Sequence, residues 1–365
     1  MPNFILSPCG TSLLTNQANG TERSLVFKYA NVKNYQDIPP DDLQQLENLN
    51  QRVAVSIATA DDLELVSKMS AELNCIIKLY DGRITKNRDH HVLLCTDTWL
   101  GETTAKFIEA WLVGKGFSVE VKRQQDLQVQ DINAFQLALS DIVLWCESTI
   151  PGYKKDGYHV IFNLTGGFKS VQGFLQTLAT FYADETIYIF ETAKDLLRIP
   201  RLPVEMRADK AVRENLEIFR RLSSGLATID IGNIPETLLM KFDNRVILSA
   251  WGDLVWTQTK KTIYQEQLYR SPSTKLVFGE KFEQSVRGIS ADRFGSINER
   301  IDQLARCLET SGEYNPPSLD FKQLKGNPCS PSTHEIDAWS DRGAQRMFGH
   351  YDGDVFVLDK LDRHL

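Results

Sequence analysis

The sequence predicts a mostly parallel α/β domain over residues 1–204, a helical, winged-helix-like connector over residues 205–270, and a small α+β domain over residues 271–365. In the first region strand-like and helix-like segments alternate, which is typical of a doubly wound sheet. The proline-flanked residues 199–204 interrupt this alternation and mark a boundary. In the last region one strand and two helices precede three strand-like segments. The last two of these join at an Asp352-Gly353 hairpin turn, which predicts an antiparallel sheet.

The composition is that of a globular protein, with 42% hydrophobic and 24% charged residues. A net charge of −7 argues against broad nonspecific binding to nucleic acid. The six cysteines show no metal-ligand spacing, so we expect packed, reduced thiols and no metal. No apolar segment approaches the ~18 residues of a membrane span, and no basic-then-apolar segment begins the chain. We therefore expect a soluble cytoplasmic protein without a membrane partner.

Apolar patterns place the elements of the first region. Strands are predicted at residues 3–7, 75–79, 91–96, 117–121, 159–164 and 186–190. A helix capped by Asp61 and Asp62 leads into the second strand, and a helix with Ala105, Ile108 and Trp111 on its inner face follows the third. Because parallel strands end at one edge of a sheet, polar turns that follow such strands are expected to meet there.

The first of these turns follows the strand at residues 159–164. Thr165, Gly166 and Gly167 form the predicted turn, and Lys169 lies in the first turn of the helix that follows. Glycines let the backbone approach a ligand, the helix N-terminus presents amides to it, and a lysine adds full charge. The pattern predicts an anion-binding turn. An ordinary strand-to-helix turn with a surface lysine is the alternative.

A companion turn follows the first strand of the chain. Gly10, Thr11 and Ser12 place small hydroxyl side chains after a glycine at the end of that strand. Such residues suit a polar ligand at the edge of an open parallel sheet. The alternative is a capping turn, because threonine and serine are good helix N-caps.

With both turns identified, residues 1–204 resemble a CARF domain, the Rossmann-like sensor of type III CRISPR systems. The segments 10–16 and 163–169 are similar to the paired motifs of the subgroup that binds cyclic oligoadenylate, commonly the tetra-adenylate, and the turn at residues 96–98 is similar as well. The resemblance implies cyclic oligoadenylate as an allosteric activator, no other cofactor, and a homodimer through this domain. The implied ligand-binding residues are Gly10, Thr11, Ser12, Thr96, Asp97, Thr98, Asn163, Thr165, Gly166, Gly167 and Lys169.

Some members of this subgroup cleave their ligand slowly. There the residues that match Ser12 and Lys169 position a ribose 2′-hydroxyl for in-line attack and stabilise charge on the phosphorane. A lysine suits this task because such a cleavage depends mostly on positioning and electrostatics.

Residues 271–365 resemble a RelE-type toxin domain in their order of elements, in Leu324-Lys-Gly326 and in Arg346 on a middle strand. The resemblance implies a metal-independent, ribosome-dependent mRNA interferase, in which a 2′-hydroxyl attacks the adjacent phosphodiester. This cleavage needs a proton acceptor, a proton donor and a cation beside the phosphate. The candidate catalytic residues are Glu335, Asp337, Arg346, His350, Lys360, Arg363 and His364.

Strand periodicity places Glu335 and Asp337 on one face of their strand, and Arg346 and His350 on one face of the next. A solvated strand face is the alternative interpretation of the two acidic residues. Residues 271–365 contain 12 Lys and Arg against 15 Asp and Glu, whereas well-known RelE-type toxins carry lysines on the second meander strand. This acidity disfavours RNA binding, which depends largely on phosphate neutralisation.

Three hypotheses follow for the whole chain. In the favoured one, cyclic oligoadenylate binds a CARF dimer and releases ribosome-dependent mRNA cleavage in antiviral defence. In the second, the chain is a ring nuclease that destroys the cyclic nucleotide, and its C-terminal domain is degenerate. In the third, it is a ligand-sensing transcription regulator, which is disfavoured because residues 205–270 contain no basic recognition helix.

Overall fold

The chain folds into two units, residues 1–205 and residues 206–365. The computed structural model describes residues 1–84, 88–128, 131–190, 195–203, 209–228, 230–326, 329–341 and 343–363. Both predicted sheets are confirmed, because unit 1 contains a largely parallel sheet and unit 2 a separate, mostly antiparallel one. In the described part of the chain, no helix has both the length and the apolar character needed to cross a membrane.

Unit 1 alternates strands and helices over most of its length. Its elements are β1 (Asn3–Cys9), α1 (Ser12–Thr15), α2 (Gly20–Lys28), α3 (Pro40–Thr59), α4 (Leu63–Met69), α5 (Ala71–Leu79), β2 (His90–Cys95), α6 (Trp99–Gly114), β3 (Ser118–Arg123), α7 (Ile132–Lys155), β4 (His159–Asn163), α8 (Lys169–Tyr182), β5 (Glu185–Tyr188) and β6 (Leu197–Pro200).

The sheet of unit 1 has the strand order β3-β2-β1-β4-β5-β6. The first five strands are parallel, and only the edge strand β6 pairs antiparallel with its neighbour. The connection from β1 leads to β2 on one side, whereas β4 lies on the other side of β1. The strand order therefore reverses at the junction of β1 and β4, which is where open α/β sheets bind ligands.

The predicted strand at residues 75–79 is wrong. Ser70 caps a second helix there by accepting a hydrogen bond from the Leu73 amide at 3.3 Å, and α5 continues through Leu79. Cys75 and Ile76 are fully buried on the inner face of this helix. A short apolar run fits a buried helix as well as a buried strand, so its period could not distinguish them.

His91 makes the stability of unit 1 dependent on pH. Burial lowers the pKa of His91 to about 3. An imidazole in the unfolded chain has a pKa of ~6.5. Between that pH and about pH 3, His91 therefore binds a proton in the unfolded chain but not in the folded chain. Folding stability therefore falls as the pH falls from ~6.5 toward 3. We expect the free energy of unfolding to be ~2 kcal/mol lower at pH 5 than at pH 7 from this group alone.

Chemical denaturation of the wild type and of His91→Gln at both pH values measures this contribution. The variant should lose less stability between pH 7 and pH 5 than the wild type loses. Equal losses in the two proteins would contradict the assignment to His91.

Unit 2 begins with helices and a small hairpin and continues into an α+β region. Its elements are α9 (Asp209–Glu214), α10 (Leu216–Ser223), β7 (Leu239–Phe242), β8 (Arg245–Leu248), α11 (Ala250–Tyr264), β9 (Leu276–Phe278), α12 (Glu280–Ser285), α13 (Ala291–Glu309), β10 (Lys322–Gln323), β11 (His334–Trp339), β12 (Gln345–Asp352) and β13 (Val355–Arg363).

The five-stranded sheet of unit 2 has the order β10-β11-β12-β13-β9. Its first four strands are antiparallel, and β9 pairs parallel with β13 at the edge. One face packs on α13 through apolar residues that include Ile301, Leu304, Ile336 and Met347. A separate apolar cluster joins α10 and α11 around Phe219 and Trp256. The polar side chains on the other face of this sheet are therefore available to form a functional site.

Candidate functional site

Two glycine turns lie side by side where β1 and β4 end. We call residues 10–12 turn A and residues 164–168 turn B. A Cβ atom built on Gly10 would lie 3.4 Å from the Gly167 Cα atom, and one built on Gly167 would lie 2.9 Å from the Pro8 Cβ atom. Gly167 also has a φ of +85°, which side chains rarely tolerate. The structure thus brings the two predicted glycine turns into direct contact.

Glu72, which the sequence analysis did not single out, lies between these turns. Its side chain is fully buried on α5. Its Oε1 atom accepts a hydrogen bond from the Gly10 amide at 2.9 Å, and its Oε2 atom accepts one from the Ser70 hydroxyl at 2.5 Å. A Cβ atom on Gly166 would lie 2.2 Å from Glu72 Oε1. Gly166 is therefore required because only a glycine leaves room for this carboxylate.

Ser12 is held by the same carboxylate. Its hydroxyl donates to Glu72 Oε2 at 2.8 Å and accepts from the Ala71 amide at 3.2 Å. Ser12 is half-buried, whereas Glu72 lies behind it without solvent contact. The hydroxyl of Ser12 consequently has one orientation, and Thr11 beside it is the N-cap residue of the short helix α1.

Asn163 and Thr165 stabilise turn B. The Asn163 side chain is fully buried and donates to the Ser7 hydroxyl at 3.2 Å, and its oxygen accepts from the Thr165 amide at 3.2 Å. The Thr165 hydroxyl accepts from the Ile189 amide at 3.1 Å. These bonds tie the ends of β1, β4 and β5 together. Both side chains therefore fix the backbone conformation of turn B.

Lys169 is the first residue of α8 and is exposed to solvent. No hydrogen bond or ion pair joins its ammonium group to another of the described residues. The residue before it, Phe168, provides no side-chain cap for the amides of the first helical turn. A free ammonium group and uncapped helix amides are the features that attract a phosphate.

Thr96 and Thr98 lie at the end of β2, the strand on the other side of β1. Both are buried, and their hydroxyls are 2.9 Å apart. Thr98 caps α6 by accepting from the Gly101 amide at 3.2 Å. A Cβ atom on Gly101 would lie 2.2 Å from Thr96 Oγ1. These two threonines therefore shape the beginning of α6 and do not present free hydroxyls.

Asp97, between them, belongs to an ion-pair network. Its carboxylate lies 2.9 Å from Lys33 Nζ and 2.9 Å from Arg123 Nε, and Arg123 also pairs with Glu102 at 2.6 Å. Burial opposes the ionisation of Asp97, but hydrogen bonds led by that from Lys33 outweigh it, so its pKa is lower than usual. The structure thus places this predicted turn one strand from turn A, with its acidic group already paired.

The thiol of Cys9, the last residue of β1, is not activated as a nucleophile. Burial raises the pKa of its thiol well above the usual value, and the charge of Glu72 raises it further. A protonated thiol is a poor nucleophile. The polar side chains at the junction that remain as candidates for a chemical role are Ser12, Glu72 and Lys169.

A second polar cluster lies on the open face of the unit 2 sheet, around Arg346 on β12. Its guanidinium Nη1 atom is 2.9 Å from Asp337 Oδ1, 3.2 Å from Asp320 Oδ2 and 3.6 Å from Glu335 Oε1. Asp337 is directly opposite Arg346 in the β11–β12 pairing. Glu335 is only 6% exposed, so it is not part of a solvated strand face.

Lys322 and Asp320 complete this Arg346 cluster, and the sequence analysis missed both. Lys322 Nζ lies 2.6 Å from Asp320 Oδ2 and 3.6 Å from Glu335 Oε1. The hydrogen bond from Lys322 lowers the pKa of Asp320. Three carboxylates thus face two cations, and the cluster has a net charge of −1. An incoming phosphate would have to displace carboxylates from Arg346.

The remaining predicted catalytic residues of unit 2 lie along β12 and β13. His350 Nδ1 is 2.9 Å from Asp359 Oδ2, which also accepts from the Ser332 hydroxyl at 2.8 Å. In the pairing of β12 with β13, Lys360 lies opposite Phe348, and Asp362 lies opposite Arg346. The Lys360 Nζ atom pairs with Asp362 at 2.8 Å. Arg363 is exposed at the end of β13. His364 lies outside the described residues. The structure therefore groups Glu335, Asp337 and Arg346, and places a separate His350–Asp359 pair on β12 and β13.

No set of three or more His, Cys, Asp or Glu side chains within the described ranges is arranged to hold a metal ion. The acidic groups around Arg346 instead surround the guanidinium.

A family model described as CRISPR-associated protein (Cas_APE2256) matches residues 67–202. The matched segment is less than half of the chain and lies in unit 1. It includes Glu72, the turn at residues 96–98, turn B and Lys169. No curated protein sequence matches the chain.

Two solved structures are similar to the chain at low scores. Csm6 of Enterococcus italicus, bound to cyclic hexa-2′-fluoro-hexa-dAMP, has 9% identity and a TM-score of 0.27 over 85% of this chain and 54% of its own. Can2 of Sulfobacillus thermosulfidooxidans, in complex with cyclic tetra-adenylate, has 9% identity and a TM-score of 0.24 over 98% of this chain and 78% of its own. This chain thus spans about half the length of that Csm6 chain.

Proposed function

We propose that this chain is a cyclic-oligoadenylate-responsive effector of type III CRISPR defence, with the ligand bound by turns A and B of unit 1. The observation that carries the proposal is the contact of the two glycine turns at the β1–β4 junction, beside an exposed Lys169. Open α/β sheets bind ligands at this junction, and the uncapped α8 amides and the ammonium suit a phosphodiester. The match of residues 67–202 to a CRISPR-associated family supports this function.

The ligand we propose is cyclic tetra-adenylate, bound by a homodimer of unit 1. A cyclic ring of repeated nucleotides has rotational symmetry, and a two-fold dimer offers a matching pair of turns. Gly10, Gly166 and Gly167 would let the backbone approach the phosphates, and Lys169 of each protomer would neutralise one of them. The buried threonines at residues 96 and 98 would act by shaping the pocket wall.

Slow cleavage of the ring is part of the proposed activity of unit 1. A ribose 2′-hydroxyl placed against Ser12 would attack the adjacent phosphorus, while Lys169 would stabilise the charge that develops on the phosphoryl oxygens. Preorganised donors of this kind are worth ~10²–10³ in rate. A slow reaction would limit how long the messenger acts.

Ligand-controlled cleavage of mRNA on the ribosome is the second candidate function and is assigned to unit 2. The observation that favours it is the clustering of an arginine with the buried Glu335 and with Asp337 on one sheet face. An arginine beside a carboxylate provides both a phosphate-binding group and a proton acceptor. The three carboxylates around Arg346 disfavour RNA binding until they are displaced, which is consistent with a nuclease that requires activation.

The test combines the full-length protein, ribosomes and mRNA, with and without cyclic tetra-adenylate. We expect cuts that depend on the ligand and that fall by ~100-fold or more in Arg346→Ala, because the variant lacks the cation that holds the phosphate. Arg245→Ala, on the β7–β8 hairpin of unit 2, is the matched control and should cut like the wild type.

If no mRNA is cut in the presence of ribosomes and ligand, the nuclease function is contradicted. Ligand binding and ring cleavage would then remain as the proposed activities of the chain. Binding of promoter-length DNA by a protein that does not cut RNA would instead identify a ligand-sensing transcription regulator. Cuts that persist in Arg346→Ala would place the nuclease site elsewhere.

A further inference from the structure

We propose that Glu72 is the final proton acceptor in ring cleavage and that it acts through Ser12. This inference rests on the proposed function, because it requires that the cyclic nucleotide bind at turns A and B. It assigns a role to a residue 60 positions from Ser12 in the sequence. Ser12 would touch the substrate, and Glu72 would serve as a positioning residue and proton sink behind it.

The first observation is a buried carboxylate without a cation. Glu72 is 0% exposed, and within the described parts of the chain no ion pair neutralises it. It is instead stabilised by its place in the first turn of α5 and by donors from Gly10, Ser12 and Ser70. The three donated hydrogen bonds hold the carboxylate in place directly behind Ser12.

The second observation is how the hydrogen-bonding capacity of Ser12 is used. A hydroxyl has one proton to donate and two lone pairs to accept with. The Ser12 proton goes to Glu72, and one lone pair accepts from the Ala71 amide. One lone pair remains, on a side chain that is half-exposed. Ser12 is therefore arranged to accept a proton from a ligand and to pass its own proton inward.

The third observation is the position of this relay. Glu72 contacts turn A through Gly10 and approaches turn B so closely that a side chain at residue 166 would have to displace the carboxylate. The carboxylate therefore lies under the junction where both turns would hold the ring. A serine hydroxyl by itself is a very weak base, whereas a carboxylate is one of the side chains that act as general bases.

The proposed step balances as follows. The ribose 2′-oxygen forms a bond to phosphorus, and the bond from phosphorus to the 5′-oxygen breaks. The 2′-hydroxyl proton moves to Ser12 Oγ as the Ser12 proton moves to Glu72 Oε2. The departing 5′-oxygen takes a proton from the Lys169 ammonium. The products are a 2′,3′-cyclic phosphate and a 5′-hydroxyl, and exchange with water returns Lys169 and Glu72 to their starting states.

The experiment is single-turnover cleavage of labelled cyclic tetra-adenylate by the full-length protein in the presence of a chelator, with binding measured separately. Glu72→Gln keeps the size of the side chain and an acceptor oxygen but cannot take the proton. We expect its rate constant to fall ~100-fold or more, while its dissociation constant stays within about threefold of the wild type. Cleavage by the wild type should also be slower in D₂O than in H₂O, because two protons move in the proposed step.

Glu47→Gln makes the same change at an exposed glutamate of α3. This matched control should cleave at the wild-type rate. Cleavage by Glu72→Gln at the wild-type rate would overturn the inference. So would wild-type cleavage that is equally fast in D₂O and in H₂O, a measurement that requires no variant. Binding without cleavage by the wild type would also overturn it, whereas absence of binding would contradict the proposed function itself.

Discussion

Replacing Lys169 with alanine is expected to weaken the binding of cyclic tetra-adenylate by ~10- to 100-fold and to slow its cleavage by at least as much. Lys169 is exposed at the first position of α8, and no other described residue neutralises its charge. A hydrogen bond from a charged donor to a phosphate is worth ~1.5–3 kcal/mol. In a two-fold dimer the loss would occur at both copies of the site.

Calorimetric titration and single-turnover cleavage measure the two effects. Lys155→Ala is the matched control, because Lys155 is also exposed but ends α7, immediately before β4 begins and thus at the opposite edge of the sheet. Lys169→Arg should retain much of the binding, since an arginine also donates to phosphate. Wild-type affinity in Lys169→Ala would show that the Lys169 ammonium group does not contact the ligand.

Replacing Arg220 with methionine is expected to lower the free energy of unfolding of unit 2 by ~3–5 kcal/mol. The Arg220 side chain is 3% exposed and pairs with Asp302 at 2.6 Å. Its guanidinium also contacts the hydroxyl of Tyr264 and the carbonyl oxygen of Arg270. These bonds connect α10, α11 and α13. The variant leaves Asp302 buried without its cation, which is the costly outcome for a buried pair.

Denaturant titration of the variants measures this loss. The double variant Arg220→Met with Asp302→Leu should recover most of the stability, because no buried charge remains unpaired. The surface pair of Arg213 and Glu266 is the control, since both side chains are 40% exposed and Arg213→Ala should cost at most ~1 kcal/mol. If Arg220→Met lowers the free energy of unfolding by only ~1 kcal/mol, the buried network does not hold the helices of unit 2 together.

The sequence predictions fail for segments whose secondary structure is determined by packing against neighbouring elements. The apolar run at residues 75–79 became a helix because Ser70 caps it and its buried face packs on the sheet. The long helices α3 and α7 were not identified, and α7 even contains Pro151. α3 packs on α2 and α6, and α7 packs on α8 and β4. Local propensity does not report such contacts.

The sequence identified many of the candidate residues but not which of them contact each other. Turn A and turn B were recognised because a glycine after an apolar strand is a local signal. Glu72 had no such signal, since an acidic residue in the first turn of a helix is ordinary. In unit 2, periodicity placed Asp337 and Arg346 on strand faces, but only the β11–β12 register put them opposite each other. Asp320 and Lys322 joined the Arg346 cluster from a loop and from the edge strand β10.

The sequence alone determined that unit 1 is an alternating α/β domain with glycine turns at strand ends and that an antiparallel sheet lies near the C-terminus, because hydrophobic period and turn chemistry are local properties. The tertiary structure decided which distant side chains meet. It placed Glu72 behind Ser12 and against Gly166, and it surrounded Arg346 with three carboxylates. Such contacts depend on strand order and register, which join residues that the chain keeps far apart.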